Sequence, residues 1–223
     1  MKKWISEMRD WATWFNKHLS DTRYAVIDKT LFPIVKSKSG ELYKIHTDLC
    51  TYNEAYTQYN HKDIQMNDIV LDIGANIGAF SLLAAKKCRW VHAYEPVLFD
   101  VLRENIALNA ANNIIPHCVA LGDGKDVGIT WQGETVTVPS QTLTQMISDI
   151  GGHCDFLKCD AELLEWEINP SELKDIHRIE IEFHQYSKHN HKLIDDIATF
   201  FHFTTKHDAK HDTFWISGVN RDV

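Results

Sequence analysis

The chain has 223 residues, with 31 acidic side chains against 23 lysines and arginines, a formal charge of -8 and no dense basic run; a phosphate backbone calls for a basic footprint, so nucleic acid is not the expected partner. No apolar run approaches the roughly 18 residues of a membrane span, and the start Met1-Lys2-Lys3-Trp4-Ile5-Ser6-Glu7 has no leader pattern, so a soluble cytoplasmic protein is expected. Five dispersed cysteines (Cys50, Cys88, Cys118, Cys154, Cys159) lack C-x-x-C spacing and read as reduced core residues, not a disulfide framework.

Residues 4–19 carry Trp4, Met8, Trp11, Phe15 and Leu19 at three- and four-residue spacing, which predicts an amphipathic helix. It could act as a lid, as the contact of a homodimer, or as a helix packed on its own domain. The mixed charges of Glu7, Arg9, Asp10 and Lys17 argue against a membrane surface. Tyr24 to Ile27 and Leu42 to His46 are β-rich and predict a short hairpin. The tyrosine-rich stretch between Tyr52 and Asn67, with Tyr56 and Tyr59, either caps a ligand or leads into the sheet. Residues 1–60 thus read as an extension and residues 61–223 as the main domain.

From residue 68 the pattern alternates: strand 69–73, helix 78–87, strand 90–95, helix 97–110, strand 114–120, helix 141–150, strand 155–160, strand 177–184 and helix 191–201. Such βα alternation predicts a Rossmann-like α/β fold, a mostly parallel sheet with helices on both faces. Val127 to Trp131 and Thr135 to Val138 read as an inserted hairpin, and 200–205 with 213–217 as a closing strand pair.

The buried run Ile69-Val70-Leu71 ends in Asp72-Ile73-Gly74-Ala75-Asn76-Ile77-Gly78. A strand that turns through two glycines into a helix brings a nucleoside-bearing ligand close to bare backbone. The dinucleotide pattern G-x-G-x-x-G is absent, and the carboxylate of Asp72 would repel a pyrophosphate while welcoming a cation. S-adenosylmethionine, with a sulfonium and an ammonium group and no phosphate, fits. Glu95-Pro96 ends the second strand, where an acid accepts bonds from ribose hydroxyls. Asp72, Gly74, Ala75, Asn76, Gly78, Glu95 and Pro96 form the expected cofactor site.

Ligands of open α/β sheets bind outside the carboxyl ends of the strands. Asp155-Phe156-Leu157-Lys158-Cys159-Asp160-Ala161-Glu162 places Lys158 inside a strand and carboxylates at its end. Ile179-Glu180-Ile181-Glu182-Phe183-His184 alternates, so Glu180, Glu182 and His184 share a face. Lys158 is the expected partner of Glu180 or Glu182. Asp160, Glu182 and His184 are the catalytic candidates, with His184 or Asp160 taking a proton from the acceptor. His184, His189 and His191 lack the spacing of a helical zinc motif, so no metal ligand is assigned. A divalent cation held by oxygens near Asp160 stays open.

These residues bear a family resemblance. Residues 66–185 resemble the FkbM-type methyltransferases, a branch of the class I S-adenosylmethionine-dependent enzymes. The similarity rests on the 72–78 turn, Glu95-Pro96, Glu104-Asn105-Ile106-Ala107-Leu108-Asn109, Val119-Ala120-Leu121-Gly122-Asp123, the 155–162 segment and Glu182-Phe183-His184. It implies a seven-stranded sheet with an antiparallel last strand, Asp123 near the adenine, and O-methylation of a sugar or other small hydroxylated acceptor. The family pattern Asp-x-Glu-Gly-Ala-Glu reads here as Glu162-Leu163-Leu164-Glu165, with leucine at the glycine position. The alternatives are an RNA base methyltransferase, an NAD-dependent oxidoreductase, and a cofactor-binding homologue without catalysis.

Overall fold

The computed structural model describes residues 24–28, 34–37, 39–44, 55, 58–131 and 133–222. The predicted helix at 4–19, and with it Tyr52 and Tyr56, lies outside the described residues. The chain divides into two compact units, 1–48 and 49–223.

In the smaller unit β1 (Tyr24–Asp28), β2 (Ile34–Ser37) and β3 (Leu42–Lys44) form an antiparallel sheet in that order. The expected hairpin is therefore a three-stranded meander. β2 was not expected because Pro33 before it and Lys36 and Lys38 after Val35 mask a four-residue strand, yet Val35 is wholly buried.

In the larger unit β4 (Ile69–Ile73), β5 (Trp90–Tyr94), β6 (Ile114–His117), β11 (Phe156–Cys159), β12 (Arg178–Phe183), β13 (Phe201–Asp208) and β14 (Thr213–Asn220) make a seven-stranded sheet, ordered β13-β14-β12-β11-β4-β5-β6. The pairs from β6 to β12 are parallel, and β14 runs antiparallel to both neighbours. The sheet and its antiparallel last strand match the fold expected from the sequence.

Strand alternation sorts the two faces. Leu71, Ile73, Leu157, Cys159, Ile179 and Ile181 join one core cluster with Leu143 and Met146 of helix α3 (Leu143–Asp149) and Ile194 and Ile197 of helix α4 (Lys192–Ile197). The opposite face carries Val70, Asp72, Phe156, Lys158, Glu180 and Glu182. Helix α1 (Ala79–Ala85) covers it, with Phe80 stacked on Phe156 at 6.0 Å. Helix α2 (Phe99–Leu108) supports α1, since a Cβ on Gly78 at the α1 start would meet Leu102 at 2.8 Å.

Several boundaries differ from expectation. Strand 114–120 breaks after β6, where Pro116 lacks an N–H and is tolerated on the sheet edge; Ala120–Leu121 (β7) pairs instead with Ser140–Gln141 (β10). The third helix starts later than expected because Thr142 caps it: its hydroxyl accepts the Gln145 N–H and the Gln145 side chain accepts the Thr142 N–H. The fourth stops at Ile197 because Phe201, only 1% exposed, is drawn into the core as the start of β13. The inserted hairpin forms as β8 (Val127–Trp131) and β9 (Glu134–Val138).

Candidate active site

The strand order reverses between β4 and β11, and a cleft of about 610 Å³ opens outside the carboxyl ends of those strands. Its lining runs from Asp160, Ala161, Glu162 and Leu164 past Gly74, Asn76 and Glu95 to an apolar wall of Tyr94, Pro96, Leu98, Val119, Leu121, Ile129 and Trp131. Ile129 and Trp131 come from the hairpin β8–β9, which the sequence showed only as an interruption. The described lining contains three carboxylates and no lysine, arginine or histidine.

Of the expected cofactor residues, Gly74, Asn76, Glu95 and Pro96 line the cleft. Gly74 has φ +72, and a Cβ there would come within 1.7 Å of the Asp160 carbonyl oxygen, so it allows β4 to approach β11 rather than only a ligand. Gly78 serves packing against Leu102. Every amide of the turn is engaged by the protein: Gly74 and Ala75 N–H donate to the Tyr94 carbonyl at 3.0 Å, Asn76 N–H to Glu95 Oε2 at 2.9 Å, Ile77 N–H to Asn76 Oδ1 at 2.7 Å and Gly78 N–H to the Ala75 carbonyl at 2.8 Å. No N–H of this turn is left for a pyrophosphate.

Glu95 is 7% exposed, and its Oε1 also accepts the N–H groups of Val97 and Leu98 at 2.7 and 2.8 Å. Three of about four lone-pair sites are thus taken. One remains, so this carboxylate can accept one ribose hydroxyl in this conformation and not the two expected.

Asp72 does not face the cleft, which corrects its expected place beside the ligand. Its carboxylate is fully buried, Oδ2 accepts the Ser81 hydroxyl at 2.6 Å, and Oδ1 faces the Lys158 ammonium at 3.2 Å. Lys158 also donates to the carbonyls of Gly74 at 2.8 Å and Ile73 at 3.3 Å, and lies 3.8 Å from Asp160. Burial works against the ammonium, but the Asp72 and Asp160 charges outweigh it and raise its pKa. Lys158 therefore does not pair with Glu180 or Glu182. Glu180 accepts the Ser217 hydroxyl of β14 at 2.6 Å instead. Asp123 is also outside the cleft lining, on the surface and paired with Lys125 at 2.6 Å.

The catalytic candidates do converge. His184 Nε2 lies 3.7 Å from Asp160, 3.8 Å from Glu162 and 3.8 Å from Glu182, while Nδ1 lies 3.0 Å from Glu165. Burial opposes the charged ring, but the Glu165 hydrogen bond and the Asp160, Glu165 and Glu162 charges push its pKa up to about 9. At neutral pH His184 is an imidazolium with no basic lone pair, which removes it as the base. Asp160, Glu162 and His184 bring ligand atoms within 4.8 Å of one another, so a divalent ion here would first have to displace that proton.

Burial lifts the Glu182 carboxyl to about 7, with the Asp160 charge adding to the rise. Tyr59, 5% exposed, places its hydroxyl 2.7 Å from Glu182 and 2.9 Å from Asp160. One phenol proton cannot fill both bonds: while Glu182 holds its proton that acid fills the second bond, and once Glu182 is ionised the phenol serves one acid at a time. Tyr59 and Glu165 were not among the candidates. The tyrosine-rich run pointed toward the first. Only the acid spacing 160, 162, 165 marked the second, which is fully buried and accepts the N–H groups of Leu163 and His184.

Residues 72–210 match the family described as Methyltransferase FkbM domain. Over 70 residues the chain is 39% identical to tRNA (guanine(37)-N(1))-methyltransferase Trm5b of Pyrococcus abyssi, a match covering 30% of this chain and 20% of that protein. Over 85 residues it is 38% identical to Methyltransferase sdnD of Sordaria araneosa, covering 36% of this chain and 30% of the other. The chain thus spans less than a third of the length of these two curated relatives. Among solved structures it resembles M. capricolum TrmK in complex with S-adenosyl-homocysteine, at TM-score 0.50 and 12% identity over 79% of this chain and 70% of that one, a likeness of fold.

Proposed function

The chain belongs to the FkbM methyltransferase domain family, and from that premise we propose that it moves a methyl group from S-adenosylmethionine to a hydroxyl oxygen of a sugar or other small acceptor. The observation that carries this is the cleft itself: three carboxylates, no basic side chain in the described lining, and a glycine turn whose amides are all engaged. That donor set suits a cationic nucleoside. It repels the pyrophosphate of a nicotinamide dinucleotide and the backbone of a nucleic acid.

When bound, S-adenosylmethionine supplies an electrophilic methyl group. Glu95 would hold a ribose hydroxyl, the apolar wall from Tyr94 to Trp131 would take the base, and Asp160 and Glu162 would face the cationic end. Asp160 is the cleft-lining carboxylate that takes the acceptor proton. Starting from ionised Glu182, the Tyr59 hydroxyl passes it on, accepting from Asp160 as it donates to Glu182, which ends protonated and gives that proton to solvent before the next turnover. The His184 imidazolium sits within 3.8 Å of both acids and offsets their charge without leaving the site. A store with a pKa near the working pH is suited to this role.

The likeness to a tRNA methyltransferase supports one rival acceptor. Labelled S-adenosylmethionine offered with a panel of monosaccharides and small polyols, and separately with a tRNA transcript, decides between them; a chelator arm reports any need for a divalent ion. Label in the sugars alone supports the proposal, and label in the transcript alone overturns it. Calorimetry that detects S-adenosylhomocysteine but no transfer to any acceptor would favour a cofactor-binding homologue.

A further inference from the structure

The sheet carries a second constellation at its opposite end, before the amino ends of β11 and β12. Asp155 immediately precedes β11, His153 stands two residues earlier, and His177 immediately precedes β12. His153 Nε2 lies 2.8 Å and His177 Nδ1 lies 3.4 Å from one oxygen, Asp155 Oδ1. The two rings meet edge to face with centroids 5.5 Å apart.

Backbone bonds hold Asp155 and His177 in place. Asp155 Oδ2 accepts the Ile69 N–H at 2.8 Å, which fixes the carboxylate and leaves Oδ1 turned toward the rings. Asp155 N–H donates to the Ile69 carbonyl at 2.9 Å, Arg178 N–H to the Asp155 carbonyl at 3.0 Å, and Asn220 N–H to the His177 carbonyl at 2.8 Å. Gly151 and Gly152, at φ 100 and 80, adopt the left-handed turn that brings His153 back over the strand start.

We propose that His153, Asp155 and His177 form a zinc-type metal site, remote from the cleft and independent of the methyl-transfer reading. Two imidazole nitrogens and one carboxylate oxygen are borderline donors that suit Zn²⁺ or Co²⁺ and not Mg²⁺ or Ca²⁺. Tetrahedral zinc with bonds of about 2.0–2.2 Å spaces its donors by roughly 3.3 Å. The 3.4 Å pair already has that spacing, and the 2.8 Å pair needs a shift of a few tenths of an ångström at His153, the half-exposed member. The Ile69 N–H on the other carboxylate oxygen is the kind of outer bond that orients a ligating carboxylate. Water fills the fourth position, and the ion clips the 151–155 turn to the start of β12.

Titration of the full chain with zinc chloride in metal-free buffer, followed by calorimetry and by the visible spectrum of a cobalt-loaded sample, tests this. One site is expected, with a rise in melting temperature on zinc addition and tetrahedral cobalt bands. His153→Ala and His177→Ala should each weaken that site by about 10-fold to 100-fold or more, while Asp160→Asn, in the cleft, should leave it unchanged. No binding to the wild-type chain overturns the proposal. So does equal affinity in the His153→Ala/His177→Ala double variant, or binding lost with Asp160→Asn alone.

Discussion

The turn at 72–78 and the strand ends at 160–165 and 182–184 are neighbours at the carboxyl ends of the same sheet and are built on opposite principles. In the turn every amide has a partner, the buried Asp72 faces a buried ammonium, and the one non-glycine residue at positive φ is Asn76, a type that tolerates the left-handed region. At the strand ends four carboxylates crowd one histidine, two acids meet at one phenol hydroxyl, and Glu162 and Leu163 stand in succession at φ 51 and 90. The first region has its backbone amides paired within the protein, which suits the cofactor seat proposed for it. The second retains charge and strain, which persist where surrounding structure over-determines them, and that marks the place where chemistry is expected.

The contrast breaks most completely at Lys158, whose ammonium serves both regions. Lys158→Met would leave Asp72 buried and uncompensated, a loss of about 3–5 kcal/mol. Urea denaturation should show it, together with loss of S-adenosylhomocysteine binding. A variant of near-normal stability would mean that the Lys158 ammonium is not what compensates Asp72.

On the acceptor side, Asp160→Asn should lower turnover by about 100-fold to 10,000-fold, beyond any loss of cofactor affinity from removing a charge that faces the cationic end. The pH profile sharpens the point. Glu182 must be ionised to receive a proton, so activity should rise through about pH 7, and Glu182→Gln should remove that limb. His184→Gln, by deleting the positive charge that lowers the Glu182 pKa, should move the limb to higher pH. Stability runs the other way. Burial raises Glu180 and Glu182 to about 7 from 4.5, so the folded state holds protons that the unfolded chain releases between those values. Their contribution to stability is full below pH 4.5 and is lost as the pH rises through 7. A pH-independent rate in the wild-type chain would remove Glu182 as the proton store.

The same contrast explains what the sequence displayed. The succession of strands along the chain, the glycine turn and the position of Glu95 were legible because each follows from local pattern: apolar runs, a positive-φ residue, an acid at a strand tip. Partner choice was not. Lys158 lies in register with both Asp72 on β4 and Glu180 on β12, and only the packed structure shows it turned to Asp72 while Ser217 of β14 takes Glu180. Tyr59 reaches Asp160 and Glu182 across more than a hundred residues of chain, a contact no periodicity reveals. The charge state of His184 is hidden in the sequence for a similar reason, since it depends on Glu165, nineteen residues away.

On the cofactor side, Glu95→Ala removes an acceptor for the ribose and also for three loop amides. The charge-assisted bond to the ligand is worth about 1.5–3 kcal/mol, so S-adenosylhomocysteine affinity should fall by roughly 10-fold to 150-fold by calorimetry. Glu95→Gln separates the two effects. Its amide oxygen can still accept the Val97 and Leu98 N–H groups while its NH2 cannot accept from Asn76, so a Gln variant that restores the 97–98 loop without restoring affinity assigns the loss to the Oε2 side, where the ribose would bind, whereas full recovery would show that loop order alone was at stake.

The smallest effect tests whether the strain at the strand ends is real. Leu163 holds φ 90 and ψ -19 where the family pattern has glycine, and its side chain is 36% exposed. A left-handed backbone costs an L-residue roughly 1–2 kcal/mol. Glycine would relieve that but add about 0.4–1 kcal/mol of freedom to the unfolded chain. Leu163→Gly should therefore stabilise the protein by a net amount of about 1 kcal/mol or less, a rise of at most roughly 2–4 °C in melting temperature. Leu163→Ala keeps the strained dihedral while losing the side chain, so it should destabilise. If glycine instead lowers the melting temperature as much as alanine does, the leucine side chain holds the turn by packing, and the strain is not what distinguishes this region from the cofactor seat.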